Sequence, residues 1–216
     1  TGYRSVLGML NWLQSRTQFH IAYAFSRCAS AAAAPTIGNC RALNKIVRQV
    51  KALPVMLHFW PMNITKALRI VAYPDASYRN NEDKSSQMAQ VVLIAEQRRS
   101  DRPDSRGTLI DYESHKIKRS TMSTTVAELT AFMRSHGHAQ FVRGLYMDLT
   151  GEDIEIHMRT DANNLVTTAR TTHLPEQKDT IHMITMLRKE CSSGTIHDLA
   201  HVRTEHMLAD SLTKSS

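Results

Sequence analysis

Four carboxylates stand where their neighbours could aim them at one point. Asp75 follows one apolar run, Asp161 follows another, Glu128 enters a helix-forming stretch, and Asp210 lies near the C-terminus. Converging carboxylates can hold a pair of divalent cations ~4 Å apart, and such a pair hydrolyses phosphodiesters without a covalent nucleophile on the protein. Each residue also has a plainer reading. Asp75 and Asp161 are of the type that turns and helix starts use. Thr125 to Glu128 fits a capping box, in which Glu128 would do no more than bond a backbone amide. Asp210, taken alone, is a solvated side chain in a polar tail. Their joint placement is what favours chemistry. Among the 11 histidines, His201 and His206 lie close to Asp210 in sequence. One helical turn would bring His206 beside Asp210, where it could transfer protons, and surface roles stay open for both. His136, His138 and His157 have no matched ligand spacing and are assigned no metal.

The elements that must position these groups are legible as periods. The stretch 68–73 reads as a strand ended by Pro74, with Asp75 immediately after it; 88–95 is a second strand and 108–114 a weaker third. A charged, Arg-rich loop fills 96–107 between them. From 125 to 149 the pattern predicts a helix, although Gly137 and Gly144 weaken its interior. Ile154, Ile156 and Met158 alternate with Glu155, His157 and Arg159, which predicts a half-buried strand leading into Asp161. Helices at 163–170 and 180–190, a strand near 196–202 and a final helical turn at 205–214 complete an α/β arrangement with a mixed sheet. The first 60 residues read instead as helices, at 6–13, at 21–34 and over a third stretch capped by Asn39. That third helix carries Leu43, Ile46, Val47, Val50 and Leu53 on one face and Arg41, Lys45, Arg48 and Lys51 on the other. The basic face could track a phosphate backbone or be ordinary solvated surface. Pro54 and Pro61 bracket a break, so the chain divides into a helical segment, 1–62, and an α/β unit, 63–216. Contact between the two is expected, because the apolar faces of the helices would otherwise be exposed.

Composition sets outer bounds. A chain of 216 residues with 42% hydrophobic content can bury one core and a smaller appended unit. Lys and Arg outnumber Asp and Glu by 27 to 20, for a formal charge of +7 and a pI near 9.5. That balance favours a polyanionic partner, and a merely basic soluble protein would show it too. Cys28, Cys40 and Cys191 form neither a disulfide framework nor a zinc pattern, which points to a reducing compartment, cytoplasmic or nuclear, and away from secretion. The longest apolar stretch, around 29–35, is far shorter than the ~20 residues of a membrane span. Without an initiator Met or a leader pattern, Thr1 reads as a cut end within a longer polypeptide.

Several segments, in order, resemble the C-terminal end of a copia-type retrotransposon polyprotein, where the tail of reverse transcriptase runs into ribonuclease H. Tyr3-Arg4-Ser5-Val6-Leu7-Gly8 is similar to the family's YRSLVG opening, and Ile21-Ala22-Tyr23-Ala24-Phe25-Ser26-Arg27 to its DIAYAVSR segment. Pro74-Asp75-Ala76-Ser77 matches its first catalytic strand end, and Lys84-Ser85-Ser86 stands at its KSTSG stretch. Ser123-Thr124-Thr125-Val126-Ala127-Glu128-Leu129 resembles SSTEAEY, and Arg159-Thr160-Asp161-Ala162-Asn163 resembles CDNQSA. The ending, from His201-Val202-Arg203-Thr204-Glu205-His206 through Met207-Leu208-Ala209-Asp210 to Ser211-Leu212-Thr213-Lys214, is similar to HVPTEDQLADILTK.

The resemblance implies a ribonuclease H-like fold, with Asp75, Glu128, Asp161 and Asp210 ligating two Mg²⁺ ions, Mn²⁺ being a possible substitute. It further implies hydrolysis of the RNA strand of an RNA·DNA hybrid, with the reverse transcriptase polymerase domain of the parent polyprotein as partner. Ser77, Asn163 and Asn164 are candidates by position and type for reading the 2′-hydroxyls. Departures from the family pattern are Ala162 in place of Asn, Ser77 in place of a second Asp, Gln87-Met88-Ala89-Gln90 after the KSTSG position, and Pro175-Glu176-Gln177 in place of a basic stretch. No YxDD-type polymerase motif is present, so the chain alone is not expected to synthesise DNA. The contrasting expectation is a catalytically inactive retroelement fragment that binds nucleic acid or a polymerase through its basic surface.

Overall fold

The computed structural model describes residues 2–53, 55–62, 67–96, 107–118, 121–172 and 178–214; positions 97–106 of the Arg-rich loop, and Pro175, Glu176 and Gln177, lie outside them. Five strands make one mixed sheet: β1 (Leu68–Ser77), β2 (Gln87–Glu96), β3 (Gly107–Lys116), β4 (Glu155–Thr160) and β5 (Asp198–His201), in the order β3-β2-β1-β4-β5. The first three are antiparallel neighbours, and β4 and β5 add in parallel on the other side of β1. This is the α/β arrangement of a mixed sheet flanked by helices that the sequence predicts. Among the described residues no helix is long and apolar enough to cross a membrane.

Both faces of the sheet are covered, and this is why β1 and β2 read as nearly unbroken apolar runs. Ile70 and Ala72 of β1 and Val92 and Ile94 of β2 join the main core with Phe132 and Leu129 of α4 (Thr124–Thr150), Leu165 of α5 (Asn163–Arg170) and Leu187 of α6 (Lys178–Ser192). On the opposite face Tyr73, Ala89, Val91 and Leu93 pack beneath Met207, Ala209 and Leu212 of the C-terminal segment. Pro74 does not end β1, as its type suggests; the strand continues to Ser77, with Pro74 opposite Gln90 and Asp75 opposite Ala89. The β4 ladder is registered along 69–72 only, so one side of β1 is open beyond Ala72, where a strand tolerates a residue without an amide hydrogen.

Helix α4 is capped two residues earlier than in the capping-box reading. Its N-cap is Ser123, whose Oγ accepts from the Val126 amide at 3.2 Å, so Glu128 is released from any capping duty. At the other end Gly151 adopts φ 75°, the left-handed value that closes a helix cheaply only without a Cβ, and its amide bonds the Met147 carbonyl.

The N-terminal helices α1 (Gly2–Gln14), α2 (Ala22–Ser30) and α3 (Ile37–Ala52) build a smaller core from Leu7, Leu10, Ile21, Cys28, Leu43 and Ile46. Thr36, not Asn39, is the N-cap of α3. Asn39 sits three residues on and returns the bond, its side chain accepting from the Thr36 amide at 2.8 Å. The expected contact with the sheet exists. Ala22 enters the core beneath the C-terminal segment, the Phe19 and Tyr112 rings meet edge-on at 5.8 Å, and the Tyr112 hydroxyl donates to the Gln14 carbonyl. Strand β5 is shorter than the expected 196–202. The final helical turn is replaced by two separate 3₁₀ turns, Thr204–His206 and Asp210–Leu212.

Two phenylalanines on α4 separate the main core from the surface. Phe132 is fully buried, whereas Phe141 is 72% exposed. Phe132→Ala should therefore lower the unfolding free energy by about 3–5 kcal/mol, and Phe141→Ala should change it by no more than about 0.5 kcal/mol. Denaturant melts of both variants check this; equal losses would show that α4 packs on the sheet by another face.

Candidate active site

Strand register does most of the positioning. Adjacent parallel strands β1 and β4 pair Arg69 with Glu155 and Ala72 with Met158. Continued past the last paired residues at the same offset, that register sets Asp75 level with Asp161, at the carboxyl end of the parallel pair, where open α/β sheets form their ligand crevices. Glu128 comes from the first turns of α4, which packs across β1. Oxygen atoms of Asp75, Glu128 and Asp161 lie within 4.8 Å of one another, the one cluster of potential metal ligands among the described residues.

Asp210, the fourth expected ligand, is not a member of that cluster. It opens the second 3₁₀ turn, half-buried, with its carboxylate ion-paired to Lys214. It remains close enough that its charge acts on Asp75. Two neighbours of the cluster carry no chemical signal of their own in the sequence beyond closing the resemblance. The buried Thr213 hydroxyl donates to Asp75 Oδ2, and the Lys214 ammonium binds Asp210. A third, Thr204, donates to Asp161 Oδ2 at 3.4 Å.

The remaining sequence candidates fall at the rim or below the surface. Ser77 is 6% exposed, opposite Gln87 in the sheet, two residues along β1 from Asp75. Asn163 and Asn164 are exposed at the start of α5, and Asn164 Nδ2 donates to Thr125 Oγ1 at 3.2 Å, tying this corner to the start of α4. His201 is exposed at the end of β5 and His206 in the first 3₁₀ turn. The helical turn expected to bring His206 beside Asp210 does not form, because the segment between them is split.

Electrostatics of the cluster follow from crowding. Burial pushes the Asp75 carboxyl above the usual carboxylate range, and the Asp161 and Asp210 charges push it further, while the Thr213 hydroxyl and Lys214 pull it down. Glu128 is pushed up to about 8 by burial first and by Asp75 and Asp161 next. Desolvated like charges of this kind are unfavourable without a counter-charge. The donor set is all carboxylate oxygen, the hard chemistry that suits Mg²⁺, Mn²⁺ or Ca²⁺ and not a thiolate- or imidazole-seeking ion. The residues therefore fit a divalent cation.

No family model and no curated protein matches this chain. Among solved structures it is similar to LC11 ribonuclease H1 in complex with an RNA/DNA hybrid, at 19% identity over 67% of this chain and 93% of that one, with a TM-score of 0.48. The ribonuclease H1 of the halophilic archaeon Halobacterium salinarum NRC-1 is similar at 20% identity, again over 67% of this chain and 93% of that one, with a TM-score of 0.46. A foamy viral protease-reverse transcriptase in complex with an RNA/DNA hybrid matches 83% of this chain and 26% of its own length, at 13% identity and a TM-score of 0.41. Likenesses this distant carry nothing about activity.

The raised carboxyls make stability depend on pH in a defined sense. Glu128 holds its proton more tightly folded, near 8, than at its ordinary 4.5, and Asp75 moves in the same direction. The associated stability is full below the ordinary value and is lost as pH rises through about 8. Metal-free protein in chelator should therefore melt at a lower temperature at pH 9 than at pH 6, by about 2–4 °C for each kcal/mol of linked free energy. Glu128→Gln should flatten that slope. A slope unchanged in the variant would mean that Glu128 titrates normally.

Proposed function

We propose that this chain is the ribonuclease H part of a copia-type retroelement reverse transcriptase, a divalent-cation-dependent endonuclease that hydrolyses the RNA strand of RNA·DNA hybrids. The observation that carries the reading is the convergence of Asp75, Glu128 and Asp161 within 4.8 Å from three separate elements. In this reading residues 63–216 are the nuclease unit and 1–62 the end of a polymerase module, whose missing part is the partner in the parent polyprotein.

Asp75, Glu128 and Asp161, with Asp210 alongside, would hold Mg²⁺ or Mn²⁺. Bound there, such ions supply an activated water and neutralise charge on the leaving oxygen. The chain's own groups do the rest. Thr213 fixes the rotamer of Asp75, and Thr204 restrains Asp161. Lys214 screens the negative cluster while remaining half-exposed, and so holds Asp210 within reach of the site. Asn163 and Asn164 stand on the exposed rim beside Asp161, where a donor or acceptor can distinguish a 2′-hydroxyl. In this reading His201 and His206, exposed on the segment that leads to Asp210, would be the groups that assist proton transfer. The excess of basic residues suits a polyanionic duplex.

A labelled RNA·DNA hybrid incubated with the purified chain should be cut in the RNA strand only when Mg²⁺ or Mn²⁺ is added. Asp75→Asn and Asp161→Asn should each lower the rate by about 10²–10³-fold or more, the scale of losing a transition-state charge partner, with the melting temperature kept or raised. Full activity in those variants removes the reading. Salt-sensitive hybrid binding without metal-dependent turnover would instead identify a noncatalytic nucleic-acid-binding fragment.

A further inference from the structure

A cleft of about 520 Å³ opens between the N-terminal helices and the C-terminal segment, away from the sheet's own crevice. Its walls include Arg27 of α2, Asn39, Lys45 and Gln49 of α3, and Ser211 and Lys214 of the C-terminal segment. Lys214 belongs to both places. It lines this cleft, and its ammonium binds Asp210 while its charge acts on Asp75 and Glu128. Lys214 thus links the cleft to the carboxylate cluster.

Lys45 is the one α3 cation lining the cleft, and the exposed face of α3 beside it carries charge of a single sign. Over Ile37–Ala52 the sequence IGNCRALNKIVRQVKA holds Arg41, Lys45, Arg48 and Lys51 and no acidic residue. Their spacing of four, three and three residues sets them in one stripe, all exposed, and none has an ion pair among the described residues. Like charges at these spacings repel, so a polyanion laid along α3 would relieve that repulsion. The stripe runs ~15 Å, the rise of about four nucleotides at 3.4 Å each. By contrast Arg27 is partnered by Glu82 and Lys214 by Asp210, which leaves Lys45 as the cation of the cleft wall free to bind a phosphate.

We infer that this cleft and the adjoining α3 stripe seat the sugar-phosphate backbone of the nucleic-acid duplex as it leaves the carboxylate site. The proposal rests on the hybrid-hydrolysing reading above and adds to it a binding surface supplied by the N-terminal helices. Lys45 would contact a phosphate as a point charge and the outer arginines as planar forks, Asn39 and Gln49 would offer amide hydrogens to backbone oxygens, and none of these contacts reads a base.

The test is binding of a fluorescein-labelled 20-bp RNA·DNA hybrid to the full chain in chelator, followed by anisotropy over a salt series. Lys45→Glu should weaken binding about tenfold and lower the salt slope by about one, and the double variant Lys45→Glu/Arg48→Glu should lose more. Lys189→Glu, an exposed charge reversal on α6, is the control and should bind to within twofold of wild type. Retained binding in the double variant, or no hybrid binding by the wild type, overturns the proposal. Because the readout needs no turnover, a wild type that binds through Lys45 but never cleaves would refute the nuclease reading and leave the cleft standing. A double variant that still cleaves, with its hybrid binding unchanged, would do the opposite.

Discussion

Mutual repulsion among Asp75, Glu128 and Asp161 is the constraint around which the molecule is arranged. Three carboxylates have oxygens within 4.8 Å of one another, and one of them, Asp75, is 2% exposed, where water can do little to screen it. Local contacts offset part of the repulsion. Thr213 donates to Asp75, Thr204 to Asp161, and Lys214 brings a positive charge against Asp210. These partners all come from the last part of the chain, folded over the sheet face opposite α4. The C-terminal segment is therefore a structural wall of the site as well as its tail, since its Met207, Ala209 and Leu212 are buried in the core on that face.

Such a cluster needs a scaffold that does not relax. The sheet supplies it by being covered on both faces, so that β1 cannot shift by a residue without driving Ile70 and Ala72 out of the main core and Tyr73 out of the second one. Parallel pairing of β1 with β4 then fixes the relative height of Asp75 and Asp161, and α4 is pinned by Leu129 and Phe132, in the turn that follows Glu128. The same tertiary packing ties the N-terminal helices to the site, through Ala22 in the second core and Phe19 against Tyr112. Ordering the helices thereby orders the basic cleft beside Lys214.

Much of this is readable from residue order. The apolar runs before Asp75 and Asp161 announce strands because strand period and β-branched composition survive without tertiary context, and the two acids then fall at strand ends by counting. Glu128 is ambiguous in sequence because its segment contains several cap-forming hydroxyls, and the choice of Ser123 over Thr125 is a shift of two residues that packing decides. The same ambiguity exchanges Thr36 and Asn39, which bond each other reciprocally in the observed cap. Pro74 reads as a terminator since its sequence neighbours do not reveal that β1 is open on one side at that point. Thr213 and Lys214 are silent for different reasons. Asp75, the partner of Thr213, is 138 residues away and invisible to any local pattern, whereas Asp210 is 4 residues from Lys214 and the two resemble an ordinary surface pair. The basic stripe of α3 is visible as a stripe, but its closeness to the carboxylates is not.

Direct measurement of cation binding is the sharpest test of the carboxylate cluster. Titrating Mn²⁺ into the chain at pH 8 while following free Mn²⁺ by electron paramagnetic resonance should reveal saturable binding to wild type. Asp75→Asn and Asp161→Asn should each weaken it by about tenfold or more, and their combination should abolish it. Wild-type binding no tighter than that of the double variant would contradict the account.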